Sequence, residues 1–242
     1  MYNLSYLQSI AKEIINIDSP SGYSNNVRAF LHNELKKLGY ESRENKKGNV
    51  LVSVKGKNDY TIGLSAHVDT LGAIVKGITG SGQLLFSPLG GPQLNTLDGE
   101  YCRIHTRNNK VYTGTFLSSS PSSHVYSDAN SKPRNDSTME IRIDELVKSK
   151  QDVLNLGIYH GDIICIDSKF EITQSGFIKS RFLDDKICVA ILLTYLKYLK
   201  DNNITLENNL EIIFSTYEEV GHGGSNMPNV DELIAIDMAC EG

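Results

Sequence analysis

No stretch of this chain approaches the roughly 18 consecutive apolar residues of a membrane-spanning helix. There is no excess of positive charge either. The 24 lysines and arginines are outnumbered by 29 acidic residues, for a formal charge of −5, which leaves no basic face of the kind that binds nucleic acid. The four cysteines, Cys102, Cys165, Cys188 and Cys240, are scattered, without the C-x-x-C spacing of a zinc knuckle or redox pair. They are expected to be reduced, buried thiols. Internal repeats and long low-complexity tracts are also missing. The amino terminus reads as an amphipathic helix rather than a secretory h-region: Leu4, Leu7, Ile10, Ile14 and Ile17 recur at helical intervals with Lys12 and Glu13 between them. A cytoplasmic location follows as the expectation. What remains is ordinary globular material, 40% hydrophobic and 22% charged over 242 residues, enough for one large domain or two smaller ones.

Read in order, the chain gives a helix, a turn at "DSPSGYSN", and a second helix carrying Val27, Phe30, Leu31 and Leu35 before Gly39, with Ser24 or Asn25 as its cap. "NVLVSVKG" and "YTIGLSAHVDT" read as strands, "DDKICVAILLTYLKYLKDNN" as a long helix, and "LEIIFSTY" and "ELIAID" as two more strands. Helices alternating with apolar strands predict an α/β domain with a mostly parallel central sheet flanked by helices, built from residues 1–71 and 171–242. Between them, residues 72–170 change character. Short β-like pieces ("YCRIHT", "KVYTGTF", "MEIRIDEL", "GDIICID") broken by Gly, Ser, Pro and Asn predict a small inserted all-β domain, with a long polar loop at "LSSSPSSHVYSDANSKPRNDS".

Chemistry concentrates where the apolar strands of the α/β part end. "STYEEVGHGG" sets Glu218 and Glu219 side by side just past a strand; alone it reads as a solvated turn with two chance acids. "LSAHVDT" places His67 and Asp69 on one face of another strand, a spacing that suits a ligating histidine held by a carboxylate. "RFLDDK" puts Asp184 and Asp185 at the mouth of a helix, where acids are also favoured by the helix dipole alone, and "IAID" ends on Asp237. Each piece has a bland explanation, whereas the conjunction of four element ends delivering acids and a histidine suits Zn²⁺, Co²⁺ or Mn²⁺ and a two-metal hydrolytic arrangement.

"AHVDTLG", "FLDDK", "TYEEVGHGG" and "IAIDM", in this order and with a β insertion between the first two, resemble the M42 family of dinuclear metallo-aminopeptidases, which includes members labelled endoglucanases. "PSGYSNNVRAFL", "FSPLGGPQL", "YTGTF" and "LGIYHGDII" are secondary matches. The resemblance implies a zinc-peptidase-like catalytic domain with a β-barrel-like insert, and a metal-dependent hydrolase that removes amino-terminal residues from peptides. It implies two divalent cations per subunit. His67 and Asp237 would bind one, Asp184 would bridge both, Glu219 would bind the other, Glu218 would act as general base and Asp69 would support His67. It further implies peptide substrates with free amino termini, and homo-oligomers, dodecamers among them. Members of the family continue past the position of Gly242 to a late histidine that completes the Glu219 site, so the chain reads as truncated at its carboxyl end. His222, in "GHGG", is then the histidine that could stand in, while His124 reads as surface or substrate-facing. The alternatives are an endoglucanase-like glycoside hydrolase, using an acid and nucleophile pair without metal, and a non-catalytic assembly or binding relative.

Overall fold

The computed structural model describes residues 3–239. In chain order the elements are α1 (Leu4–Ile15), α2 (Asn25–Lys37), β1 (Ser42–Glu44), β2 (Val50–Val54), β3 (Thr61–His67), β4 (Gly72–Ile78), β5 (Leu84–Leu89), β6 (Tyr101–His105), β7 (Val111–Ser118), β8 (Met139–Ile143), α3 (Lys150–Leu156), β9 (Ile163–Ile166), β10 (Glu171–Ile172), β11 (Ile178–Lys179), α4 (Leu183–Asp201), β12 (Asn209–Ser215) and β13 (Glu232–Ala235). The chain divides into two compact units, residues 1–70 with 168–242, and residues 71–167. Cys240 falls outside the described residues; Cys102, Cys165 and Cys188 are buried and form no disulfide. No helix among the described residues is long and apolar enough to cross a membrane.

The first unit is a five-stranded sheet in the order β1-β2-β12-β3-β13. Strand β3 runs parallel to both β12 and β13, as the alternation of helix and strand predicts, while the β1–β2 hairpin joins β12 antiparallel and makes the sheet mixed. The three-residue β1 is too short to show a period in the sequence. Alternate residues Val50, Val52, Ala66, Leu210, Ile212 and Phe214 form one face of the sheet; α2 and α4 pack against it and α1 packs on α4, with Ile14, Leu31, Val189 and Leu193 buried in the shared core. The helices have local reasons to begin and end. The Asn3 side chain accepts the Tyr6 N–H at 2.9 Å to start α1. Gly39, at φ 80°, lets the Tyr40 N–H turn back to the Leu35 carbonyl at 2.9 Å to close α2. Ser24 occupies the cap position of α2 without a side-chain capping bond.

The second unit is a closed barrel in the order β4-β5-β8-β7-β6-β9. Closure leaves no open edge for another chain to pair with. Its centre is filled by Leu84, Phe86, Ile104, Phe116, Ile141 and Ile164, with Phe86 and Phe116 edge to face at 5.1 Å between ring centres. Gly114 of β7 is required by crowding, since a Cβ there would lie 2.8 Å from the Arg142 carbonyl oxygen. The polar stretch before β8 has no regular element, as its Ser, Pro and Asn content predicts.

Candidate metal centre

Register places the sequence-predicted residues together. His67 is the last residue of β3 and pairs with Ser215, the last of β12, so the chain that leaves β12 for Glu218 and Glu219 starts beside it. On the other side Ala235 of β13 pairs with Ser65, and the Ile236 N–H donates to the Ser65 carbonyl at 2.8 Å. That register carries Asp237 to the level of His67. From α4 comes the Asp184–Asp185 pair, joined by a cis peptide and lying before the regular turns of the helix.

The His67 imidazole is buried, with Nδ1 3.0 Å from the Asp69 carbonyl oxygen and 3.6 Å from Asp69 Oδ1. With the Nδ1 proton held at the Asp69 carbonyl, Nε2 faces the acids. It lies 3.0 Å from Asp184 Oδ1 and 3.6 Å from Glu218 Oε2. Ligand atoms of His67, Asp185 and Asp237 lie within 4.8 Å of one another. Asp185 is fully buried; one oxygen, Oδ2, accepts the His67 backbone N–H at 2.9 Å, and the other, Oδ1, has no hydrogen-bond partner. Helix-dipole stabilisation therefore does not account for Asp185, which ties α4 to β3 through one oxygen and leaves the other unpartnered.

Asp69 organises the glutamates. It is fully buried, and it accepts the Glu218 N–H on Oδ1 at 3.1 Å and the Glu219 N–H on Oδ2 at 3.3 Å, with the Ser21 hydroxyl donating to Oδ2 as well. The Glu218–Val220 turn is thus held from below. It is also held at its flanks, where Asn49 accepts the Thr216 N–H at 3.1 Å and donates to the Ser225 carbonyl at 3.5 Å. Neither Ser21 nor Asn49 is visible as a site residue in the sequence, although both lie in quotable turns, "SPSG" and "KKGN".

The electrostatics of the metal-free cluster are those of acids facing one another. Burial raises Asp185 to about 6, and the nearby Asp237 adds to the effect. Burial likewise raises Glu219 to about 7 against the pull of His67, helped by Asp184, Asp69 and Glu218. Glu218 is raised for the same reasons. Burial works against charge on His67, yet Asp69, Asp185 and Glu218 together lift it to about 10. For Asp69 burial is again opposed, and the adjacent His67, the Ser21 hydroxyl and the Glu218 N–H hold it below the usual carboxylate range. His67, Asp185, Glu218 and Asp237 line a cavity of ≈ 340 Å³ whose other walls include Met227 and Leu233. His222 and His124 are both exposed, and neither joins the cluster among the described residues.

The donor set fits a divalent cation: one imidazole, several carboxylates, and a buried carboxylate oxygen left without a donor. Residues 48–242 match the family model described as M42 glutamyl aminopeptidase. The chain belongs to the M42 peptidase family. M42 enzymes are metal-dependent hydrolases, and with membership the glycoside hydrolase alternative is not favoured. The M42 chain is 41% identical over 245 residues to YhfE of Bacillus subtilis (strain 168), which carries an aminopeptidase name, covering 100% of itself and 71% of that protein. A TET aminopeptidase from a marine sediment archaeon, Thaumarchaeota archaeon SCGC AB-539-E09, superposes with TM-score 0.88 at 24% identity, over 99% of this chain and 67% of that one. The TET1 peptidase of Pyrococcus horikoshii, which can assemble into a tetrahedron or a large octahedral shell, superposes with TM-score 0.83 at 26% identity, over 98% of this chain and 70% of that one. The chain thus spans about two thirds of the length of these relatives.

Proposed function

We propose that the chain carries the metal-binding and proton-transfer residues of an M42 aminopeptidase acting on peptides with free amino termini, in the cytoplasm and within a homo-oligomer. The observation that carries the reading is the convergence on His67 Nε2 of carboxylates from separate element ends, with one buried oxygen of Asp185 unpartnered. His67, Asp184 and Asp237 would hold one divalent cation, with Asp185 beside them, and Asp184 and Glu219 would hold a second. Zn²⁺ or Co²⁺ suits a mixed imidazole and carboxylate set, and Mn²⁺ is compatible. When bound, the cations would polarise the scissile carbonyl and acidify water.

The chain's own groups divide the remaining work. Asp69 holds the His67 ring and the two glutamate N–H groups, so the adjacent carboxylates keep different stations. Glu218, half-exposed to the cavity and raised above the ordinary glutamate value chiefly by burial, is suited to accept a proton from the attacking water and deliver it to the leaving amine. Homo-oligomerisation is supported by the assemblies of the structural relatives. In the active enzyme, Glu218→Gln should abolish hydrolysis with metal content nearly intact, and Glu219→Gln should lower metal content. Elemental analysis beside a peptidase assay checks this; equal metal loss in both variants would contradict the division of roles.

A further inference from the structure

The "SPSG" turn supplies no metal ligand, yet it is bonded along its length to the segment that follows His67. The Ser19 hydroxyl donates to the Val68 carbonyl at 2.8 Å, the Thr70 N–H donates to the Ser19 carbonyl at 2.9 Å, and the Ser21 N–H donates to the Thr70 carbonyl at 3.3 Å. Pro20 forms a parallel bridge with Thr70. Ser19 and Ser21 are both buried, but their hydroxyls have different targets. The Ser19 hydroxyl goes to a backbone carbonyl. Ser21 donates to Asp69 Oδ2, the oxygen that otherwise receives only the long bond from the Glu219 N–H, at 3.3 Å.

We propose that Ser21 is a positioning residue of the metal centre, acting through Asp69; this rests on the reading that His67 and the surrounding carboxylates hold the cation. Without the Ser21 hydroxyl, Asp69 loses a strong donor to a buried carboxylate and is free to turn toward His67 Nδ1, which already lies 3.6 Å from its Oδ1. The carboxylate would then compete with the Asp69 carbonyl for the Nδ1 proton and slacken its hold on Glu218 and Glu219. Partners one bond removed from a metal ligand set its tautomer and orientation, and their loss lowers metal affinity by about 10–100-fold.

The test titrates Co²⁺ into the 242-residue chain by calorimetry, with the metal-free melting temperature of each variant measured alongside. Ser21→Ala should bind Co²⁺ about tenfold or more weakly, Ser21→Thr, which restores the donor, should return to within about threefold of the parent, and Ser19→Ala should stay within about twofold. Both alanine variants remove one buried hydroxyl from the same turn, so their melting temperatures should fall by similar amounts. If Ser21→Ala does not fold, Ser21→Cys, of similar size and a weak donor, is measured in its place with the same expected loss. Parent-like binding by Ser21→Ala, or an equal loss in Ser19→Ala, would overturn the proposal while leaving the metal reading in place. No Co²⁺ binding by the parent chain would overturn both.

Discussion

Each of the two units buries an aspartate, and the two are treated differently. In the barrel unit Asp162 accepts the Tyr159 N–H at 2.8 Å on one oxygen and the Arg107 N–H at 3.3 Å on the other, with Arg107 Nε 3.5 Å from the latter. Its charge is answered from within the barrel. In the α/β unit Asp185 has a single backbone donor with the weakly donating Cys188 thiol near it, an oxygen that no strong donor reaches, and other acids nearby. A buried carboxylate saturated by its own chain fixes architecture, whereas one left short of donors among like charges keeps an oxygen open to a cation, as the proposed function requires. Burial and residue type are the same in both; the supply of donors separates a structural acid from a binding one.

The sharpest separation of the units comes from the barrel core. Phe116→Ala should lower stability by about 3–5 kcal/mol through loss of the edge-to-face contact with Phe86 and the cavity left behind, with cation affinity per folded molecule unchanged. Chemical unfolding with a parallel Co²⁺ titration checks both halves. A smaller effect, opposite in sign at the two sites, is expected from the aspartates themselves. Asp162→Asn should destabilise by about 1–3 kcal/mol because it unbalances satisfied donors. Asp185→Asn should raise the metal-free melting temperature at pH 8, since a neutral group suits that buried position better. A fall in both would break the comparison.

A third expected effect is a pH dependence. Asp185, Glu219 and His67 keep their protons in the metal-free fold to about 6, 7 and 10, above their unfolded values of about 3.9, 4.3 and 6.5. The stability each contributes is intact below its unfolded value and is lost as pH rises through its folded value. Metal-free stability should therefore decline from about pH 4 to about pH 10 on account of these groups, and a cation that takes the place of the protons offsets the decline. The melting-temperature gain on adding Zn²⁺ should grow between pH 5 and pH 9. A constant gain would mean that these groups do not face the metal.

Much of this was legible in the sequence, for identifiable reasons. Strands β2, β3 and β12 announce themselves by apolar, β-branched runs, and the end of such a run marks where His67, Glu218 and Glu219 emerge. The composition break near Gly72 marks the barrel. The β10–β11 hairpin was hidden because two-residue strands have no period, and β1 because it is only three residues long. The distinct position of Asp185 was hidden because two adjacent acids at a helix start look equivalent until the backbone leaves helical geometry between them. Ser21 and Asn49 were hidden because serine and asparagine in turns usually serve the turn itself; their bonds to Asp69 and Thr216 depend on contacts far apart along the chain.

The central claim is that the acids around His67 form a cation site. It is tested most directly by diffraction from crystals of this chain grown or soaked in Zn²⁺, with data collected on both sides of the zinc absorption edge. The account predicts an anomalous peak bounded by His67 Nε2 and the carboxylates of Asp184, Asp185 and Asp237, near the Glu218–Glu219 turn. Zinc bound at other histidines with no peak beside His67 would contradict it.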